Sequence, residues 1–168
     1  VIIATGSKTL ILPIEGIDNP AIIHGSDLLD GKRAAGKKVL VVGGGMVGCE
    51  TAAFLGEQEH DVTVIEFRDT VGADVIHEHR VYLMKDFEDY GIKEITGAKV
   101  CKFYEDGVEY ETADGVRHES RGYDSVILSM GFRNYNPLEE KIKDLVPDTC
   151  DRRCYPCKTC TGCNKRGL

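Results

Sequence analysis

The chain has 168 residues, 42% apolar and 29% charged, the composition of a globular domain long enough to bury a moderate core rather than of a disordered or fibrous chain. Its 21 basic residues stand against 28 acidic ones, a formal net charge of −7. That balance argues against nucleic acid as a partner, which would demand clustered Lys and Arg. The longest apolar runs are short or broken by glycine, far below the roughly 20 residues that span a bilayer, so no membrane partner is expected.

The chain opens at Val1 inside an apolar run, without the basic segment or small-residue cleavage site of a secretory signal. This reads as an internal piece of a longer, cytoplasmic protein. VIIATGS predicts a buried strand ending at Gly6, because a continuous β-branched run closed by a turn residue suits a strand covered on both faces. Residues 8 to 36, with Pro13, Pro20, Gly16, Gly31 and Gly36, predict a linker holding a short helix after Ser26. VLVV at 39 to 42 predicts a strand, GGGMVG at 43 to 48 a turn, and the apolar periodicity from Cys49 to about Glu59 a helix. His60-Asp61 then turn the chain into a second parallel strand, VTVIEF at 62 to 67. Two strands joined by such a helix make a right-handed βαβ unit.

From Asp74 to Tyr90, Val75, Val81, Leu83, Met84 and Phe87 recur at helical spacing, and Gly91 supplies a stop. The period then changes to two, in segments 92 to 96, 98 to 106, 107 to 115 and 116 to 120. These predict a meander with turns at Asp106-Gly107 and Asp114-Gly115. YDSVILSMG at 123 to 131 predicts a last apolar strand ending in a glycine turn. The fold class is α/β, a mainly parallel sheet with flanking helices and a β-meander.

Chemistry concentrates at Gly43-x-Gly45-x-x-Gly48, which lies after a strand and opens a helix inside the βαβ unit. There the first glycine permits a tight turn, the second lets backbone approach a pyrophosphate, and the third lets helix and strand pack closely. The helix N-terminus offers its N–H groups and partial positive charge to the diphosphate. Glu66 ends the second strand, 18 residues past Gly48 and 23 past Gly43, where a carboxylate accepts hydrogen bonds from the adenosine ribose. The unit is therefore a Rossmann-like NAD(P)-binding domain. Glu66 favours NADH, since a 2′-phosphate would be repelled, although the nearby Arg68 could pair with that phosphate. The alternative reading is that the glycines only allow a close turn and Glu66 is a solvated strand end.

The segments VIIATG, VLVVGGGMVGCE and VILSMGFRN resemble the pyridine nucleotide-disulphide oxidoreductase family of flavoproteins, over nearly all of residues 1 to 149. Within it, GGGMVGCE is most similar to the C-terminal part of NADH:flavin oxidoreductases of the 2,4-dienoyl-CoA reductase and 2-enoate reductase type. The resemblance implies an NAD(P)-binding domain inserted into an FAD-binding domain, with Ala4-Thr5-Gly6 and Met130-Gly131 at the crossings. It divides the chain into the end of an FAD-domain strand and linker (1–36), the NAD(P)-binding domain (37–133), a return toward the FAD domain (134–149) and a Cys-rich tail (150–168).

The nicotinamide-nucleotide site implied by the resemblance falls on Gly43, Gly45, Met46, Val47, Gly48, Glu50, Glu66, Val100 and Gly131. Glu50 would stand where NADH and flavin meet, or else be a helix carboxylate in a salt bridge. Val100 rests on the AKV match alone and is otherwise a plain strand residue. No residue is assigned as catalytic. The partners implied are a nicotinamide dinucleotide and the FAD-binding half of a flavoenzyme, because the family's own FAD glycine fingerprint and its closing strand into Gly-Asp are not found in these residues. The expected function is to present NADH for hydride transfer to a flavin that reduces a second substrate of enoate or enoyl-CoA type. A nucleotide-binding unit without turnover of its own is the alternative.

The tail differs in composition, with five basic residues against one acid in 150 to 168 and the run Cys154-x-x-Cys157-x-x-Cys160-x-x-Cys163. Its spacing suits successive thiolates on one metal or cluster. It nevertheless departs from the ferredoxin-type run, and cluster-bearing flavoproteins of this kind hold theirs upstream of the FAD domain. The tail is read as having no native role, with a metal-binding electron carrier or redox thiols as alternatives. Cys49 reads as a small packed residue, and His77 with His79 cannot share a helix face to form a metal pair. The redox CxxC of the disulphide reductases is absent from residues 1 to 149.

Overall fold

The structure, a computed structural model, describes residues 4–138 and Lys141. In chain order the elements are β1 (Ser7–Thr9), β2 (Ile23–His24), α1 (Gly25–Leu29), β3 (Lys38–Val42), α2 (Met46–Glu57), β4 (Asp61–Ile65) and α3 (His77–Asp89). There follow β5 (Lys93–Ile95), β6 (Lys99–Tyr104), β7 (Gly107–Glu111), β8 (Arg117–Ser120), β9 (Ser125–Leu128) and β10 (Phe132–Asn134). The Cys154 to Cys163 run, Val1–Ile3 and the expected return segment beyond Leu138, save Lys141, lie outside the described residues.

The α/β expectation holds. Five strands form a parallel sheet in the order β2-β9-β3-β4-β5. Alternation along β3 shows why both faces are covered. Val39 and Val41 pack with Cys49, Ala52 and Leu55 of α2 and Leu83 and Phe87 of α3 on one side. Leu40 and Val42 pack with Phe103, Val108 and Tyr123 on the other. A parallel strand buried on both faces needs an unbroken run of β-branched and aliphatic residues, and β3, β4 and β9 supply it as KVLVV, DVTVI and SVIL. The second face is roofed by the antiparallel sheet β6-β7-β8, giving three layers: helices, parallel sheet, meander.

Thr9–Phe132 form one compact unit. Residues 9 to 36, expected as linker outside a 37–133 domain, belong with that unit, because β2 joins the sheet beside β9 and Ile22, Ile23 and Leu28 are buried. Among the described residues the other unit holds Ala4–Lys8 with Arg133–Leu138. In its described part the Thr5 hydroxyl donates to the Tyr135 carbonyl, and the Tyr135 N–H donates to Gly6 O at 3.0 Å. Lys8 Nζ lies 3.9 Å from the Tyr135 ring centre. β1 and β10 pair as a two-stranded sheet.

Several boundaries move. Ala4–Gly6 carry no strand, and the short strand there is Ser7–Thr9. The first long helix starts at Met46 rather than Cys49, because the glycine turn is complete by Gly45, the helix N-cap. Asp61, expected in the turn, already pairs with Lys38 in the sheet. α3 starts at His77 rather than Asp74. Val75 is buried in the preceding turn, whereas Val81, counted toward the apolar face, is 57% exposed. Lys93–Ile95 do not open the meander, since they pair parallel with β4 as an edge strand. The expected Asp106-Gly107 turn is Glu105-Asp106, and Gly107 stands in β7 with no room for a side chain, an added Cβ lying 2.0 Å from Ser120 O.

Candidate functional site at the glycine turn

The chain leaves β3 on one side through α2 to β4, and β9 lies on the other side of β3. The carboxyl ends of these strands meet where strand order changes direction, the place at which an open α/β sheet leaves a crevice. A cleft of about 450 Å³ lies there. Its floor is Val42 and Ile65 at the ends of β3 and β4, with Ser129 and Met130 just beyond β9.

Close backbone approach dictates the glycines. Gly43 has φ +104°, and a Cβ on it would lie 2.4 Å from Ser129 O. At Gly48 a Cβ would fall 1.8 Å from Gly43 O, so α2 reaches its position against the turn only because that side chain is missing. Gly43 N–H donates to Ile65 O at 2.9 Å and Ser129 N–H to Val42 O at 2.8 Å, which ties the three strand ends together.

Of the expected residues, Gly43, Gly45, Met46, Val47, Glu66, Val100 and Gly131 all line the cleft. Gly48 stands behind them in α2. Glu50 is not among the lining residues: its Oε1 lies 3.4 Å from His79 Nε2 of α3, both side chains about half exposed. Glu66 is held firmly. Its Oε2 accepts from Gly44 N–H at 2.6 Å and its Oε1 from Arg68 N–H at 3.0 Å. Its backbone is fixed as well, N–H donating to Ile95 O at 2.8 Å and C=O accepting from Ala98 N–H at 2.9 Å.

Two polar residues that line the cleft, Asp74 and Ser129, escape a reading of the sequence. Asp74 Oδ1 accepts from Met46 N–H, the first residue of α2, at 3.0 Å. Ser129 is buried, and its Oγ has no hydrogen-bond partner among the described residues. Asp74 belongs to no motif in the glycine fingerprint, and the signal that could have found it is Gly72 two residues earlier. Gly72 takes φ +63° and donates its N–H to Gly44 O at 2.7 Å, which brings the loop after β4 back to the glycine turn. Arg80 secures this loop from α3, donating to Val71 O and to Thr70 Oγ1.

Cys49 is fully buried, and its Sγ donates to Gly44 O at 3.3 Å. Burial pushes its thiol up to about 12, so it stays protonated near neutral pH and serves as packing, as the sequence suggests. Among the described residues no group of three or more His, Cys, Asp or Glu could hold a metal ion. Among them, too, no helix is long and apolar enough to cross a membrane.

Fold and cleft together define a three-layer α/β domain whose glycine turn opens onto the carboxyl ends of the parallel sheet. The chain belongs to the pyridine nucleotide-disulphide oxidoreductase family, whose family model matches residues 1–145. It is 35% identical over 145 residues to the bilirubin reductase of Mediterraneibacter gnavus (strain CC55_001C), covering 84% of this chain and 22% of that protein. It is 32% identical over 152 residues to the NADH oxidase of Thermoanaerobacter brockii, covering 88% and 23%. Among solved structures it is similar to a 2-naphthoyl-CoA reductase in complex with 2-naphthoyl-CoA, with TM-score 0.76 and 29% identity over 86% of this chain and 22% of that one. The water-forming NADH oxidase of Lactobacillus brevis bound to NADH gives TM-score 0.58 and 27% identity, over 81% and 31%. The chain thus spans less than a quarter of the first curated relatives it matches.

Proposed function

We propose that this chain is the NAD(H)-binding domain of an FAD-dependent oxidoreductase. The observation that carries the reading is the pairing of a glycine turn at a helix N-terminus with a carboxylate fixed at the end of the next strand, both lining one cleft. The cleft residues fit a dinucleotide. Side chains on Gly43 or Gly48 would collide with backbone, and one on Gly45 would crowd the Asp74 carboxylate, so the turn presents bare backbone to the cleft. Gly45, Met46 and Val47 would hold the diphosphate through backbone N–H groups and the helix field, with Gly43, whose own N–H is taken by Ile65 O, making the turn and Gly48 permitting the close helix. Glu66 would accept the ribose hydroxyls. Val100 would pack on the adenosine side, and Gly131 would lie toward the nicotinamide. When bound, NADH supplies a hydride for a flavin held by the partner FAD-binding half.

Glu66 favours NADH over NADPH. Its oxygens are anchored by two backbone N–H groups, so the carboxylate has little freedom to swing away from a 2′-phosphate. Arg68 also lines the cleft and works in the opposite sense. The likeness to a 2-naphthoyl-CoA reductase and to the cinnamate reductase of Clostridium sporogenes, 28% identical over 151 residues, supports a second substrate of the unsaturated acyl or enoyl-CoA type. Glu50, on the face of α2 paired with His79, would meet the FAD-binding half.

Calorimetric titration of the chain with NADH, NADPH and FAD, repeated on Glu66→Ala and Glu66→Gln, tests the reading. NADH should bind more tightly than NADPH. Glu66→Ala should weaken NADH roughly tenfold or more, because charge-assisted hydrogen bonds contribute about 1.5–3 kcal/mol. No nucleotide binding by a folded chain, or NADH affinity indifferent to Glu66, would overturn it. A nucleotide-binding unit without turnover of its own is the second reading, favoured by the single glycine fingerprint in the 168 residues. Binding of NADH without FAD, and without NADH oxidation when free FAD is added, would select it.

A further inference from the structure

We propose that Asp74 is a built-in competitor of the dinucleotide's diphosphate for the N-terminus of α2, and that it sets nucleotide affinity below what the glycine turn alone would give. The proposal rests on the reading of the cleft as a dinucleotide site. Asp74 lies in that cleft, and its Oδ1 takes the N–H of Met46 at 3.0 Å. Its two carboxylate oxygens would stand 3.1 and 3.3 Å from a Cβ on Gly45, so they lie directly over the residue whose bareness lets an anion approach. The carboxylate thus already makes the kind of contact a phosphate oxygen would make there.

Nor is the contact an accident of a loose side chain. The loop that carries Asp74 is fastened at Gly72 N–H to Gly44 O, at Val75 N–H to Gly72 O and by Arg80 to Val71 O and Thr70 Oγ1, and Val71 and Val75 are buried. A second carboxylate, Glu66, takes the N–H of Gly44. Glu66 keeps lone pairs with which it can also accept ribose hydroxyls, which are neutral donors. Asp74 faces the diphosphate instead, and like charges in a half-enclosed cleft repel. To bind, the dinucleotide must displace Asp74 from Met46 N–H or lie beside it, and either route weakens its hold and hastens its release.

Asp74→Asn separates charge from shape, because the amide oxygen can still accept from Met46 N–H while the negative charge is gone. Asp74→Ala removes both and serves as the second variant. Affinities of the full chain for NADH, ADP-ribose, inorganic pyrophosphate and adenosine are measured by calorimetry, with thermal melting to confirm folding. The Asn variant should bind the three diphosphate ligands about tenfold more tightly, equivalent to about 1.4 kcal/mol. Adenosine, which carries no phosphate, should be unmoved, and added salt should shrink the difference.

Diphosphate affinity unchanged or weakened in both variants overturns the proposal, and Asp74 is then a holder of the loop. If NADH binding responds to Glu66→Ala but not to Asp74→Asn, the dinucleotide reading stands and this proposal falls. If pyrophosphate binding tightens in Asp74→Asn while NADH is indifferent to Glu66, the competition is upheld and the dinucleotide reading falls. Absence of binding by every ligand to every folded variant overturns both.

Discussion

Replacing Gly48 by alanine adds one methyl group and should be among the most damaging single changes in the domain. The added Cβ would lie 1.8 Å from the carbonyl oxygen of Gly43, whereas a close carbon–oxygen contact needs about 3.3 Å. The shortfall is about 1.5 Å. No flexible side chain can absorb it, because the obstacle is backbone, and that backbone is tied by Gly43 N–H to Ile65 O. The accommodation must come from α2 moving away from β3, which loosens Cys49, Ala52 and Leu55 against Val39 and Val41. Overpacking of this kind costs roughly 1–3 kcal/mol and occasionally more, and the rigid obstacle puts this case near about 3 kcal/mol. For a domain of this size that lowers the melting temperature by about 6–12 °C. Thermal melting and urea unfolding of the chain and its Gly48→Ala variant measure it. A variant melting within about 2 °C of its parent would refute the argument that helix and turn meet backbone to backbone.

Two further outcomes follow from the same structure. Cys49 titrates from 9.0 when unfolded to about 12 when folded, so above pH 9 the unfolded chain loses a proton that the native chain keeps. Its contribution to stability is therefore complete below pH 9 and declines as pH rises toward 12. Cys49→Ala should flatten that part of the stability profile, and a profile unaltered by the substitution would mean that the thiol is reachable in the native state. Ser129→Ala removes a buried hydroxyl without a partner among the described residues and should leave stability unchanged or raise it by up to about 1 kcal/mol. A loss of 2 kcal/mol or more in urea unfolding would show that this hydroxyl is bonded in solution.

Legibility in the sequence followed the range of the interaction. β3, β4 and β9 could be read because each is a continuous apolar run closed by a special residue, and the glycine turn because its three positions lie within six residues. β5 could not be placed, since KEI carries no apolar alternation and its partner is chosen by the parallel sheet, at residues 63–65. β2 was hidden for a similar reason: two residues have no period, and only pairing with β9 identifies them. In α3 the spacing promised a longer apolar face than the sheet can accept, so Leu83 and Phe87 are buried while Val81 is left outside. In the cleft, the glycine turn and Glu66, supplied by consecutive elements, were found from local pattern, Val100 and Gly131 came only with the family resemblance, and Asp74 and Ser129 were missed. Asp74 reaches the N-terminus of α2 through a hydrogen bond 28 residues away in sequence, a separation at which no local pattern survives.

The edges of the parallel sheet carry a consequence for how the molecule behaves in a crowded solution. β2 offers two residues and β5 three, so a foreign strand docking on either side would find at most a rung or two before the ladder ended. On β5 those rungs also carry exposed Lys93 and Glu94, with Lys93 paired to Asp61 of the neighbouring strand. Short, charged borders are how open sheets avoid growing into one another. A domain whose central strands are among the most apolar segments of its sequence thereby keeps them from becoming a template for aggregation.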